Sequence, residues 1–138
     1  MDKIRNGIQI KRIYEPAEPE DGLRVLVDRL WPRGMTKERA RLTVWMKEVT
    51  PSPELRTWFG HEPARLEEFA RRYEAELADA AVEPFLDRLR AWAEEQVVTL
   101  LYGAKDGHCN HALVLKRYLE KGSGNGFYPF TRTPSRLP

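Results

Sequence analysis

Leu23-Arg24-Val25-Leu26-Val27-Asp28-Arg29-Leu30-Trp31-Pro32-Arg33-Gly34 is the stretch that decides the fold. Leu23–Asp28 is aliphatic and β-branched, and its apolar residues fall on both faces of an extended chain. That is the pattern of a strand covered on both sides. Pro32 and Gly34 then force a turn, since Pro removes a ladder donor and Gly admits turn geometry. The stretch therefore reads as a buried strand whose carboxyl end carries a carboxylate, Asp28, and two guanidiniums, Arg29 and Arg33.

Working outward, Val97–Tyr102 repeats this grammar. It is apolar except for Thr99, and the polar loop Gly103–Gly107 follows it. His108–Lys121 is expected as the last helix, with Ala112, Leu115, Tyr118 and Leu119 facing inward. Upstream, Ile8, Ile10 and Ile13 with Gln9 and Lys11 between them give a first strand, and the Pro- and acid-rich Glu15–Gly22 reads as a loop. Lys37–Arg41 is a charged connector. Leu42–Val49 is either a short strand or an irregular segment.

Helices fill the space between the strands. Ser52 is a good N-cap, Pro53 suits the first helical position, Leu55, Trp58 and Phe59 share a face, and Gly60 ends the helix. Pro63 opens a second helix carrying Leu66, Phe69, Ala70, Tyr73, Leu77 and Ala80. Pro84 opens a third with Phe85, Leu86, Leu89, Trp92 and Ala93. Strands separated by helices predict an α/β fold: a small, mainly parallel sheet with helices on its faces, in a single domain. That domain is expected over residues 1–121. Residues 122–138 read as a C-terminal tail, laid over the surface by Phe127, Tyr128 and Phe130.

Composition narrows the classes. The chain has 138 residues, 41% of them hydrophobic, enough for one core without staples. Its single cysteine, Cys109, cannot close an internal disulfide, which argues for a reducing compartment. No signal peptide and no membrane-spanning run is read, so a cytoplasmic protein is expected. With 23 basic against 21 acidic residues, interspersed, the net charge of +2 describes a solvated surface rather than a nucleic-acid footprint.

Three groups of polar residues could carry chemistry. The first is Asp28, Arg29 and Arg33, placed where open α/β sheets hold their ligands. Asp28 ends an apolar run and is expected to be largely buried and paired with Arg29 or Arg33. The bland alternative is a salt bridge that merely locks the Pro-Gly turn. The second is Tyr102-Gly103-Ala104-Lys105-Asp106-Gly107-His108-Cys109-Asn110-His111, a strand, a loop and a helix start. Its unpaired N–H groups, with Lys105 and His108, could hold an anion unless Asp106 caps the helix instead. Both polar loops follow buried strands and are expected on one edge of the sheet. No Walker A or G-x-G-x-x-G spacing is present. Cys109 in a first helical turn could be a reactive thiol, but packing is the more ordinary role of a lone cysteine and it is expected to be dispensable. His108, Cys109 and His111 are spaced too tightly for a structural zinc site, and no metal or cofactor is expected. The third group is Lys47, Ser52 and His61, flanking capped turns, with Trp45 and Trp58 more simply read as core.

Several of these positions belong to a recognisable set. Val27-Asp28-Arg29-Leu30-Trp31-Pro32-Arg33-Gly34, Trp45-x-Lys47-Glu48 with Pro51-Ser52, Leu55-Arg56-x-Trp58-Phe59-x-His61, and Leu100-Leu101-Tyr102 followed by Asn110-His111-Ala112 and Val114-Leu115 occur in that order. In these motifs, from about Ile8 to Lys121, the chain resembles the domain-of-unknown-function 488 family, YeaO-like branch. The resemblance implies a shared pocket of Asp28, Arg29, Arg33, Lys47, Ser52, His61, Asn110 and His111, and no established activity. Other branches carry Cys-His-Arg at the last helix start, where this chain has Cys109-Asn110-His111. That departure weighs against Cys109 as an obligatory nucleophile.

The expected function is a polar pocket at the strand ends that binds a small anionic ligand. Turnover, with Asp28, His61 or His111 moving protons, and binding without turnover stand side by side. No residue is given a catalytic role. A nucleic-acid role for Arg33, Lys37, Arg39 and Arg41 ranks last, because Glu38 interrupts them and the net charge is small.

Overall fold

The computed structural model describes residues 6–107 and 110–122. The expected tail beyond Gly122, and the positions His108 and Cys109, lie outside the described residues. Four strands form one sheet: β1 (Gly7–Arg12), β2 (Leu23–Leu26), β3 (Val44–Trp45) and β4 (Val97–Tyr102), in the order β1-β4-β2-β3. Every pairing is parallel, with Ile10 opposite Leu100 on one side of β4, Val25 opposite Leu100 on the other, and Leu26 opposite Trp45. The two strands read as buried, β2 and β4, are the central pair, which is why both are apolar on both faces.

Alternation along the strands sends the two faces to different cores. Val25, Val98, Leu100 and Tyr102 point into the larger one. It is closed by α2 (Pro53–Phe59), α3 (Leu66–Leu77), α4 (Glu83–Glu95) and α5 (His111–Gly122) through Leu55, Phe59, Phe69, Tyr73, Leu86, Leu89, Leu115 and Leu119. The opposite face carries a smaller cluster of Ile13, Leu26, Met35, Ala40 and Leu101, covered by Trp31, Trp45 and the short helix α1 (Lys37–Ala40). Helices thus lie on both faces, but unequally. The Lys37–Arg41 connector is α1, capped by the Thr36 side chain, and Leu42–Val49 contains the two-residue β3.

The rest of that second face is ionic. Gln9 and Lys11 on β1, Arg24 on β2 and Thr99 on β4 point the same way, toward Asp21. Asp21 sits in a 3-10 turn, Pro19–Asp21, inside the segment expected to be a plain loop. Gly22 follows with φ 63°, and a Cβ there would lie 2.1 Å from the Val97 carbonyl oxygen, so only glycine lets the chain enter β2 beside β4. Among the described residues, no helix is long and apolar enough to cross a membrane.

Candidate functional site

Because β2 and β4 are adjacent and parallel, their carboxyl ends meet at one edge of the sheet. The loops after them lie together there, as expected from the sequence. The Gly103 backbone N–H donates to Asp28 Oδ2 at 2.9 Å, joining the two loops directly. A Cβ at Gly103 would press on that same oxygen at 3.1 Å, so the absence of a side chain lets the carboxylate approach the backbone. The Trp45 indole N–H fixes the Asp28 backbone by donating to its carbonyl at 2.7 Å.

Asp28 is paired, but not with Arg29 or Arg33 as its neighbourhood in sequence suggested. Its basic neighbour is His111, whose Nε2 stands 3.1 Å from Oδ1. The same Nε2 is 2.7 Å from the Val27 carbonyl oxygen, which can only accept, so the ring nitrogen carries a hydrogen aimed at Val27. Asp28 Oδ1 is therefore buried beside the imidazole with no hydrogen bond directed at it. Tyr73 packs edge-on against the His111 ring at 6.5 Å and donates its hydroxyl to the Val49 carbonyl. Burial, followed by the negative charges of Glu76 and Asp28, pushes the Tyr73 phenol well above its ordinary range, so it stays a neutral donor.

These groups border a pocket of about 110 Å³. Its polar lining is Asp28, Arg29, Arg56, His61 and His111. Its apolar lining is Leu30, Pro51, Phe59, Phe69 and Ala104, with Phe59 and Phe69 stacked at 4.0 Å between ring centroids. Arg29 makes one long hydrogen bond, Nε to the Pro51 carbonyl at 3.4 Å, and has no ion pair among the described residues. Arg56 likewise has no carboxylate partner among the described residues. His61 follows Gly60, both in left-handed backbone at φ 58° and 52°, so the chain leaving α2 curls and sets the imidazole beside Phe59.

The structure thus brings four of the sequence candidates together: Asp28, Arg29, His61 and His111. The others have different settings. The Ser52 hydroxyl accepts from the Leu55 N–H as the α2 cap and donates to Glu76 Oε2 at 2.6 Å, which locks α2 to α3. Lys47 is exposed, with its ammonium 4.1 Å from the centre of the Trp45 ring. Arg33 is exposed, and its carbonyl accepts from the Tyr14 hydroxyl. Lys105 is exposed and outside the pocket lining. Asn110 is fully buried and caps α5, its Oδ1 accepting from the Leu113 N–H at 3.0 Å while Nδ2 donates to the Asp106 carbonyl at 2.8 Å. The last helix accordingly begins at His111, later than expected, and Asn110 caps it. Sequence reading missed Arg56 and treated Phe59 and Phe69 only as core. Arg56 stands one residue past the inward-facing Leu55, and nothing in its spacing separates it from a solvated arginine.

A family profile described as the inactive DUF488-N3 subclade matches residues 7–125. The uncharacterized protein YeaO of Escherichia coli is 51% identical over 113 residues, 82% of this chain and 96% of its own length. An uncharacterized protein of Mycobacterium tuberculosis is 44% identical over 112 residues, 81% of this chain and 92% of its own length. No solved structure matches the chain.

Proposed function

We propose, from the premise that this chain belongs to the inactive DUF488-N3 subclade, that it binds a small anion in the pocket at the carboxyl ends of β2 and β4 and does not turn it over. The observation that carries this reading is the state of Arg29. A half-buried guanidinium with a single 3.4 Å hydrogen bond and no ion pair among the described residues retains most of its donors for a ligand. Arg56, exposed and without a carboxylate partner among the described residues, adds a second cation to the pocket lining. The volume supports a small ligand: about 110 Å³ is well under the roughly 300 Å³ at which pockets for drug-sized molecules begin. The description of the family as inactive supports the absence of turnover.

Turnover has one observation of its own, the Asp28–His111 pair, since a carboxylate beside an imidazole is a recurrent base arrangement. The hydrogen of Nε2 is committed to Val27, however, and the orienting bond from the carboxylate is missing.

A thermal-shift series with acetate, phosphate, sulfate and chloride at constant ionic strength tests the binding reading. At a ligand concentration 100 times Kd the stabilisation is about 2.7 kcal/mol. The expected result is a rise in Tm with at least one oxyanion that is abolished in Arg29→Ala. Equal shifts in the wild type and Arg29→Ala would refute the assignment.

A further inference from the structure

Resting on that reading, we infer that the anion is the carboxylate of a short aliphatic acid rather than an inorganic oxyanion. Charge is the first ground. The lining holds two guanidiniums, Arg29 and Arg56, against one carboxylate, Asp28, an excess of one positive charge among these three groups. That balance matches a monoanion. A phosphate dianion would meet the Asp28 charge inside the same small space.

The second ground is the apolar half of the pocket. Phosphate and sulfate are acceptors in every direction and gain nothing from hydrocarbon walls. Here the stacked pair Phe59 and Phe69 lies inside, Ala104 leaves room that a larger side chain would fill, and Leu30 stands 63% exposed. A carboxylate takes the guanidinium fork edge-on at one end and leaves an alkyl body for those walls. Size sets the limit. The pocket is smaller than the roughly 150 Å³ apolar cavity that admits benzene, so acids of about three to five heavy atoms beyond the carboxyl carbon fill it.

An NMR titration of the whole protein at pH 7 and fixed ionic strength tests the inference, with formate, acetate, propionate, butyrate and octanoate against phosphate and sulfate. The Trp45 indole N–H, bonded to the Asp28 carbonyl, is the reporter. The expected result is an affinity that rises roughly fourfold per added methylene up to butyrate and then levels off, with phosphate and sulfate weaker than propionate. Ala104→Val should move the plateau to a shorter acid, and Leu30→Ser, a change at an exposed position of the apolar wall, should lower the gain per methylene. Affinities independent of chain length, or phosphate equal to butyrate, would overturn the carboxylic-acid inference while leaving the anion pocket standing. If neither acids nor inorganic anions perturb the pocket resonances, the anion reading falls and this inference falls with it.

Discussion

Two aspartates flank the central strand β2, Asp21 before it and Asp28 after it, and they are in opposite states. Asp21 is almost wholly buried and saturated: Oδ1 takes the Lys11 ammonium at 3.0 Å, and Oδ2 takes Arg24 and the Glu18 backbone N–H. Burial alone would push its carboxyl up, but the Glu18 N–H, Lys11 and Arg24 together outweigh burial and hold it below the usual carboxylate range. Asp28 is more exposed and under-used, with one oxygen on the Gly103 N–H and the other lacking a donor. The arginines follow suit. Arg24 gives Nη1 to Asp21 and Nε to the Ala40 carbonyl at the end of α1, with only its buried Nη2 left without a bond, whereas Arg29 holds only the Pro51 carbonyl, weakly. A carboxylate and an arginine near a strand end therefore make a structural lock at one end of β2 and line a pocket at the other. Ion pairing, not residue type, tells them apart.

The largest expected effect is at the lock. Asp21→Asn strands the Arg24 guanidinium and leaves Lys11 with Glu18 alone, and removal of one member of a buried ion network costs about 3–5 kcal/mol. Urea denaturation should show the midpoint falling with the slope unchanged. A loss under about 1 kcal/mol would break the contrast with Asp28.

Acid sensitivity should belong to the same end. The folded-state value of Asp21 lies below its unfolded value of about 3.9, so its stabilisation is complete above that pH and is lost as pH falls through the folded value. Stability followed from pH 6 to pH 2 should drop below about pH 4 in the wild type and distinctly less in Asp21→Asn. Parallel curves would assign acid loss to other carboxylates. Lys11 behaves in the opposite sense. Burial would lower it, but Glu18 and Asp21 together raise it, so its contribution is present at neutral pH and lost only on alkaline titration.

At the pocket the same substitution should matter less. Asp28→Asn keeps an acceptor for the Gly103 N–H and strands no cation, so a cost of about 1 kcal/mol is expected by the same urea assay. A loss equal to that of Asp21→Asn would make Asp28 a second lock. The smallest effect should be Arg29→Ala, within about 0.5 kcal/mol of wild type, because its one bond is long and no ion pair is lost.

What the sequence showed and what it hid follow the same division. The parallel core was readable because β2 and β4 are apolar on both faces, and the ends of α2 because Ser52, Pro53 and Gly60 are strong local signals. The shared edge followed from having two strand-to-loop junctions of one kind. The partners of the charges were not readable. Asp28 sits beside Arg29 in sequence yet meets His111 from α5, and that proximity is created only by packing α5 against the sheet. Asp21 lay hidden in a segment whose Pro and acid content reads as loop, because nothing local announces that Lys11 and Arg24 alternate onto its face. Asn110, a polar candidate beside His111, proved to be the α5 cap. A side chain that satisfies the backbone and one kept for a ligand have the same composition.

Anomalous diffraction from crystals soaked in bromide addresses the central claim most directly, since bromide reports where an anion settles without presupposing its chemistry. The account predicts an ordered bromide between Arg29 and Arg56, displaced when acetate is added, and none at Arg24, whose charge is already answered by Asp21. Ordered bromide at Arg24 or along the exposed Arg33–Arg41 surface, with none between Arg29 and Arg56, would contradict it.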